Sequence, residues 1–196
     1  MATRPTARAR LRPRALRHTL ADLASTGSDT TELEAIAAAA RRRNAAGVGP
    51  RAAPADATGV VLFHGRSPTN RLAAAEALAA ALDAPLYRVD LSQVVSPHLG
   101  ETERNLATVF DTVAGAGAVL LFDEADALFG KRTGVRDAND RYANIEVSYL
   151  LRRVDAHDGV AILAVDGQAA PAALESRVRW RVAIPARTVR PPRPRG

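Results

Sequence analysis

An apolar run, Val119-Leu120-Leu121-Phe122, ends in two adjacent carboxylates, Asp123 and Glu124. A run of this kind reads as a strand buried on both faces, as in a parallel sheet. Carboxylates placed just after such a strand stand beyond its carboxyl end, where open α/β sheets bind their ligands. In phosphate-handling folds the first carboxylate holds Mg²⁺, directly or through water. The second can polarise an attacking water. That chemistry would make Asp123 the metal ligand and Glu124 the general base. A plainer alternative stays open, in which a strand runs into a polar loop and both acids are merely solvated.

The segments around this pair must form a scaffold that holds it. Apolar runs predict strands at Val60–His64, Leu86–Val89, Val119–Phe122, Val160–Ala164 and Trp180–Ile184. Between them, helical periodicity marks Arg71–Leu82, Glu101–Val113 and Arg141–Val154. Alternation of this kind predicts an α/β fold, a parallel five-stranded sheet with helices on both faces. Two more helices are expected upstream, at His18–Leu23 and Glu32–Arg43, followed by a Gly/Pro/Ala linker over Gly47–Pro54. The expected organisation is therefore a basic disordered tail over 1–17, a helical and linker segment over 18–56, a core domain over 57–185, and a Pro/Arg tail over 186–196.

Composition narrows the function classes. The chain of 196 residues contains no Cys, which excludes disulfides, thiol nucleophiles and Cys-based zinc sites. No apolar run reaches the roughly 18 residues of a transmembrane helix, and no secretory apolar segment follows the N-terminus. A cytoplasmic location with no membrane partner is the expectation. The net charge of +6 arises at the ends. Residues 1–17 carry six Arg and residues 186–196 carry four, with no acid in either. The two ends thus hold ten of the 27 basic residues and none of the 21 acids, which leaves residues 18–185 at −4. Arg-rich ends can contact the phosphates of nucleic acid, but no aromatic residue is interleaved for base stacking. Nucleic acid is expected only through these ends, and a solvated tail is the plainer reading. Of the basic residues 26 are Arg and only Lys131 is Lys, which also fits a codon bias.

Several segments in one order resemble the core of AAA+ ATPases. Val119–Gly130 resembles the Walker B strand, Leu86–Asp111 the second strand, pore-loop region and following helix, Asn139–Asp166 the next helix and sensor-1 strand, and Arg177–Pro185 the arginine-finger segment and last core strand. The likeness covers roughly Ala57 to Pro185, and its flavour is similar to bacterial AAA proteins of contractile injection systems. It implies a P-loop NTPase-like sheet that uses ATP and Mg²⁺, with a protein assembly or other AAA subunits as partners. Asp166 falls at the sensor-1 position, where the family's Asn orients water. An ionised Asp accepts hydrogen bonds but donates none. Arg177 and Arg179 match the arginine fingers, which act on a neighbouring subunit's ATP; the plainer alternative is that Arg177, Arg179 and Arg181 form a solvated strand face. His98 takes the place of the aromatic with which a pore loop grips polypeptide.

The phosphate loop departs from its pattern. Where GxxxxGK[ST] is expected, the chain reads Gly65-Arg66-Ser67-Pro68-Thr69-Asn70-Arg71-Leu72. The cofactor-binding positions are then Gly65, Pro68, Thr69, Asn70, Arg71 and Leu72. Pro68 lacks an N–H for phosphate, and Asn70 is a milder change because it tolerates left-handed backbone. Arg71 keeps the Lys charge in a wider, planar group, and Leu72 has no hydroxyl for Mg²⁺. No sequence corresponding to the family's helical lid follows Pro185, so a lidless core is expected. Three functions remain open: an ATP-driven remodeller of a protein assembly, a non-hydrolysing scaffold that keeps the fold and subunit contacts, or an incomplete product without independent activity.

Overall fold

The computed structural model describes residues 11–46, 60–129, 138–167 and 174–186, without side chains for 138–144. The expected linker at 47–54, Gly130, Lys131 and the C-terminal tail beyond residue 186 lie outside the described residues. Within them five strands form one parallel sheet: β1 (Val60–His64), β2 (Leu86–Asp90), β3 (Val119–Asp123), β4 (Val160–Val165) and β5 (Val178–Ala183). Their order across the sheet is β2-β3-β4-β1-β5, every pair parallel.

Side chains alternate between two apolar layers, as the period of a strand requires. From β1, Leu62 enters one layer while Val61 and Phe63 enter the other. Leu120 and Phe122 of β3 face the first layer, and Val119 and Leu121 face the second. The first layer is closed by helices α5 (Glu101–Val113) and α7 (Ala138–Asp155), with the short α4 (Leu91–Val94) and α6 (Asp126–Phe129). The second is closed by α1 (Leu20–Ser25), α2 (Thr31–Ala45) and α3 (Pro68–Leu82). Ala73, Ala74, Ala75, Ala77 and Ala79 of α3 are all buried. Small side chains let this helix lie close to the sheet, which compensates for the scarcity of aromatics. The α/β fold expected from the strand and helix alternation is the one observed.

Most element boundaries move by a few residues, and at α3 the reason is local. Helix α3 begins at Pro68 instead of Arg71, because Ser67 caps it by accepting from the Asn70 N–H at 3.3 Å and Pro68 occupies the first turn. Proline is favoured there, since its missing N–H is one that a helix leaves unpaired anyway. Strand β5 begins at Val178, two residues before the expected Trp180.

A larger departure concerns residues 11–17, expected as part of a solvated basic tail. The Arg14 N–H donates to the Leu86 carbonyl at 2.8 Å in an antiparallel bridge to β2, an edge strand. Leu11 packs against the first layer. The Arg17 N–H reaches Glu76 Oε2 at 3.2 Å, and His18 Nδ1 lies 2.6 Å from the same oxygen. The physical reason is an open strand edge, whose unpaired backbone groups accept a covering segment.

Candidate functional site

The parallel register brings the ends of β1, β3 and β4 together at the carboxyl edge of the sheet. Asp123 closes β3 and is buried. Glu124 follows it at φ +56, a left-handed conformation uncommon for a side chain of this size. Gly65 follows β1, and Asp166 follows β4. Helix α3 points its first turns at this edge.

Arg71, in the second turn of α3, occupies the centre. Its side chain is completely buried. Nη2 lies 2.9 Å from Asp123 Oδ1 and 3.1 Å from Glu124 Oε1. Nη1 donates to Asp166 Oδ1 at 2.5 Å and to the Gly65 carbonyl at 2.7 Å. A guanidinium can do this because its donors are fixed in one plane and spread wider than an ammonium. Nε is left buried without a partner. The second oxygen of Asp123 is held from the other side by Arg88 of β2, with Nε at 3.0 Å and Nη2 at 2.6 Å. The Asp166 N–H donates to Asp126 Oδ2 at 2.8 Å, which ties the end of β4 to α6.

Electrostatics follow from this packing. Burial works against the charge on Arg71, but Asp166 and Asp123 outweigh it and hold the guanidinium above its ordinary range. Glu124 is pushed upward, first by burial and then by the neighbouring Asp123 charge, with Arg71 pulling the other way. The cluster is thus two cations against three carboxylates, and the most exposed acids, Glu124 and Asp166, contact Arg71 alone among its cations.

The residues expected to cradle phosphate are otherwise engaged. Gly65 sits at φ +146, and a Cβ there would come within 2.3 Å of the Ile184 carbonyl. Close approach to the chain after β5 accounts for this glycine without a ligand. Asn70 is helical, not left-handed, and its buried Nδ2 donates to the Pro185 carbonyl at 2.6 Å. Thr69 is exposed. Leu72 packs against the second apolar layer. The N–H of Arg71 is taken by the Ser67 carbonyl at 2.9 Å.

Nucleotide and Mg²⁺ do not fit these residues. Both oxygens of Asp123 face guanidinium groups, Leu72 offers no oxygen, and Pro68 and the capped turn withhold backbone donors. Among the described residues no group of three or more His, Asp or Glu is placed to hold a metal. Arg71 stands where a bound cation would have to compensate the same acids.

Arg177 and Arg179 are not part of this cluster. The Arg177 carbonyl accepts from the Val60 N–H at 3.1 Å, and Val178 pairs with Val60, so both arginines lie toward the amino end of β1, away from Gly65. Both are exposed. Arg177 forms an ion pair with Asp155, and Arg181 pairs with Glu175 at 2.5 Å. His98 and Leu99 are exposed between α4 and α5, with the His98 N–H on Ser96 Oγ at 3.2 Å.

Sequence reasoning missed Arg88 altogether. The available signal was a charged residue inside an apolar strand, two positions before Asp90. Recognising its partner needed the β2–β3 register, in which Asp90 pairs with Asp123. No helix among the described residues is long and apolar enough to cross a membrane.

A parallel sheet in this order, with its first strand leading through a short turn into a helix beside Asp123, defines a P-loop NTPase-type fold. A profile of the ATPase family associated with various cellular activities (AAA) matches residues 61–185, more than half of the sequence, and the chain belongs to that family. It is 38% identical over 80 residues to an uncharacterised AAA family ATPase, y4kL, of Sinorhizobium fredii, covering 41% of this chain and 24% of that protein. It is 31% identical over 99 residues to the proteasome-activating nucleotidase of Aeropyrum pernix, covering 50% and 24%. With the ribosome biogenesis ATPase RIX7 of Saccharomyces cerevisiae it shares 36% identity over 75 residues, 38% of this chain and 9% of the other. The chain therefore spans about a quarter or less of these relatives. A chain in the solved E. coli MS115-1 HORMA:CdnC:Trip13 complex has a similar fold, with a TM-score of 0.50 at 20% identity over 65% of this chain and 48% of that one.

Proposed function

We propose that this chain is an AAA core whose nucleotide site is closed by its own Arg71, and that it serves as a non-hydrolysing subunit in a protein assembly. The observation that carries this is the buried Arg71 guanidinium, bound to Asp123, Glu124 and Asp166 at once. Three family positions have changed in a mutually compensating way. The Lys position became Arg71, whose wider fork spans the gap. The sensor-1 position became Asp166, which supplies that fork with an acceptor. The hydroxyl position became Leu72, which packs in the core. Without a cation at position 71, Asp123 would keep only Arg88 and Glu124 would lose its guanidinium partner, whereas here one side chain bridges all three acids.

The subunit role rests on Arg177 and Arg179. Both are exposed and distant from their own site, the placement required of arginines that act on a neighbouring subunit's nucleotide. In that arrangement the chain supplies contacts and charge to a partner AAA subunit and performs no chemistry itself. The test is phosphate release from saturating Mg-ATP by the purified chain. The expected result is no turnover above the protein-free rate. Steady turnover that disappears in Glu124→Gln would restore the active-remodeller reading instead.

A further inference from the structure

The molecule carries a second concentration of arginine, of which the closed site engages Arg88 alone. Arg12, Arg14, Arg17 and Arg88, with Pro13 and Ala15, line an open cleft of about 420 Å³ beside strand β2. Arg12, Arg14 and Arg17 are exposed, and among the described residues none of their side chains meets a carboxylate. Among the described residues Arg88 alone of the four is compensated, by Asp123. The ten residues that precede the cleft add Arg4, Arg8 and Arg10 and no acid, so the sequence immediately upstream supplies no neutralising partner.

Four guanidiniums gathered in this way repel one another unless an anion lies between them. The chain accepts that cost in an anchored segment. Leu11 is packed on the core, the Arg14 N–H is bonded to Leu86, and the Arg17 N–H and His18 ring are both on Glu76. Arg88 is held in place from behind by two bonds to Asp123. The backbone that carries three of the arginines and the fork of the fourth are thus fixed before a ligand arrives, which lowers the ordering cost of binding.

We propose that this cleft binds a compact anion bearing two or more phosphates. Planar guanidinium forks match phosphate oxygens two at a time. Three uncompensated charges exceed what a single phosphate, at about −1.5 to −2, would neutralise. Among the described residues no aromatic side chain lines the cleft, so they offer no platform for stacking a base and the phosphates themselves are what it reads. The site is separate from the Arg71 cluster, although Arg88 touches both. An empty cleft therefore leaves the closed-site reading intact.

The probe is inorganic tripolyphosphate, titrated into the full chain by calorimetry. A complex is expected that weakens as salt is added and is about tenfold or more weaker in Arg12→Gln/Arg14→Gln, the loss expected for charged hydrogen bonds. These side chains are exposed and the Arg14 anchor is through its backbone, so thermal unfolding of the variant should match the parent. Absence of binding, or binding unchanged in the double variant, overturns the proposal; the latter would place the anion elsewhere on the chain. Orthophosphate is expected to bind more weakly than tripolyphosphate. A single-stranded oligonucleotide that binds more tightly than tripolyphosphate at equal salt would overturn the compact ligand in favour of a nucleic-acid backbone.

Discussion

At the amino end of the sheet Arg43 of α2 donates from Nη2 to two backbone carbonyls, Asp158 at 2.5 Å and Gly159 at 2.9 Å. At the carboxyl end Arg71 directs its donors mainly to carboxylates. Both arginines are buried, yet the two ends solve different problems. Around Arg43 the need is for backbone satisfaction, as the chain turns from α7 into β4. His157 assists there, its Nε2 meeting the Ala118 carbonyl at 2.8 Å. A Cβ on Gly159 would fall 1.8 Å from that same carbonyl. Around Arg71 the need is for charge compensation, because three acids converge at the strand ends. Backbone-bonded arginine is a structural strut. Carboxylate-bonded Arg71, at the ligand-binding edge of an α/β sheet, takes the place of a ligand on the reading proposed above.

The largest effect expected from this contrast is on stability. Arg71→Met should destabilise the chain by about 3–5 kcal/mol, since it strands buried Asp123 with Arg88 alone. The exposed ends of the Glu124 and Asp166 contacts add little to that figure, being screened by water. Adding Asp123→Asn to Arg71→Met should recover part of the loss, and urea unfolding of the two single variants and the double variant measures the coupling. Simple additivity would mean that the two groups do not compensate each other.

Arg43→Met should cost less, about 1–3 kcal/mol, the range for leaving buried carbonyls without donors. The same urea series checks it, and an effect larger than that of Arg71→Met would reverse the contrast between the two ends.

Smaller effects appear in the pH dependence. Glu124 titrates above its ordinary 4.5, because burial and Asp123 disfavour its charge. The folded state therefore holds that proton to higher pH than the unfolded chain, and the group's contribution to stability falls as pH rises past 4.5. Glu124→Gln should be slightly more stable than the parent at neutral pH, with the gain fading in acid. His157 moves the opposite way. Burial holds it below its ordinary 6.5, although the Ala118 carbonyl and Asp158 favour its charge. The unfolded chain binds that proton first, so stability is lost as pH falls below 6.5. His157→Gln should flatten this acid-side slope in thermal melts at stepped pH, whereas Glu124→Gln should leave it in place.

The sheet was legible because its evidence is local. Val119–Phe122 and Val160–Ala164 are apolar without interruption, and strands buried on both faces have that appearance. The early start of α3 was also written locally, in Ser67-Pro68, but the apolar periodicity that marks the helix begins only at Leu72. Arg71 itself was legible only as a changed residue. Its contact with Asp166 joins positions 95 apart, and nothing short of the folded register shows that the two substitutions meet. Arg88 was hidden for the same reason, since its carboxylate partner belongs to the adjacent strand. The segment 11–17 looked like tail because its anchors are backbone groups and one leucine, which composition does not reveal.

The most direct test of the closed site is a Mg-ATP titration by calorimetry, comparing the parent chain with Arg71→Lys/Leu72→Thr/Asp166→Asn. These three changes shorten the central cation, restore a hydroxyl beside it and remove one of its acids, while the sheet is left as it is. The account predicts no measurable Mg-ATP binding by the parent and clear binding by the triple variant. Equal, saturable binding by both would contradict it, because nucleotide would then reach the site with Arg71 in place.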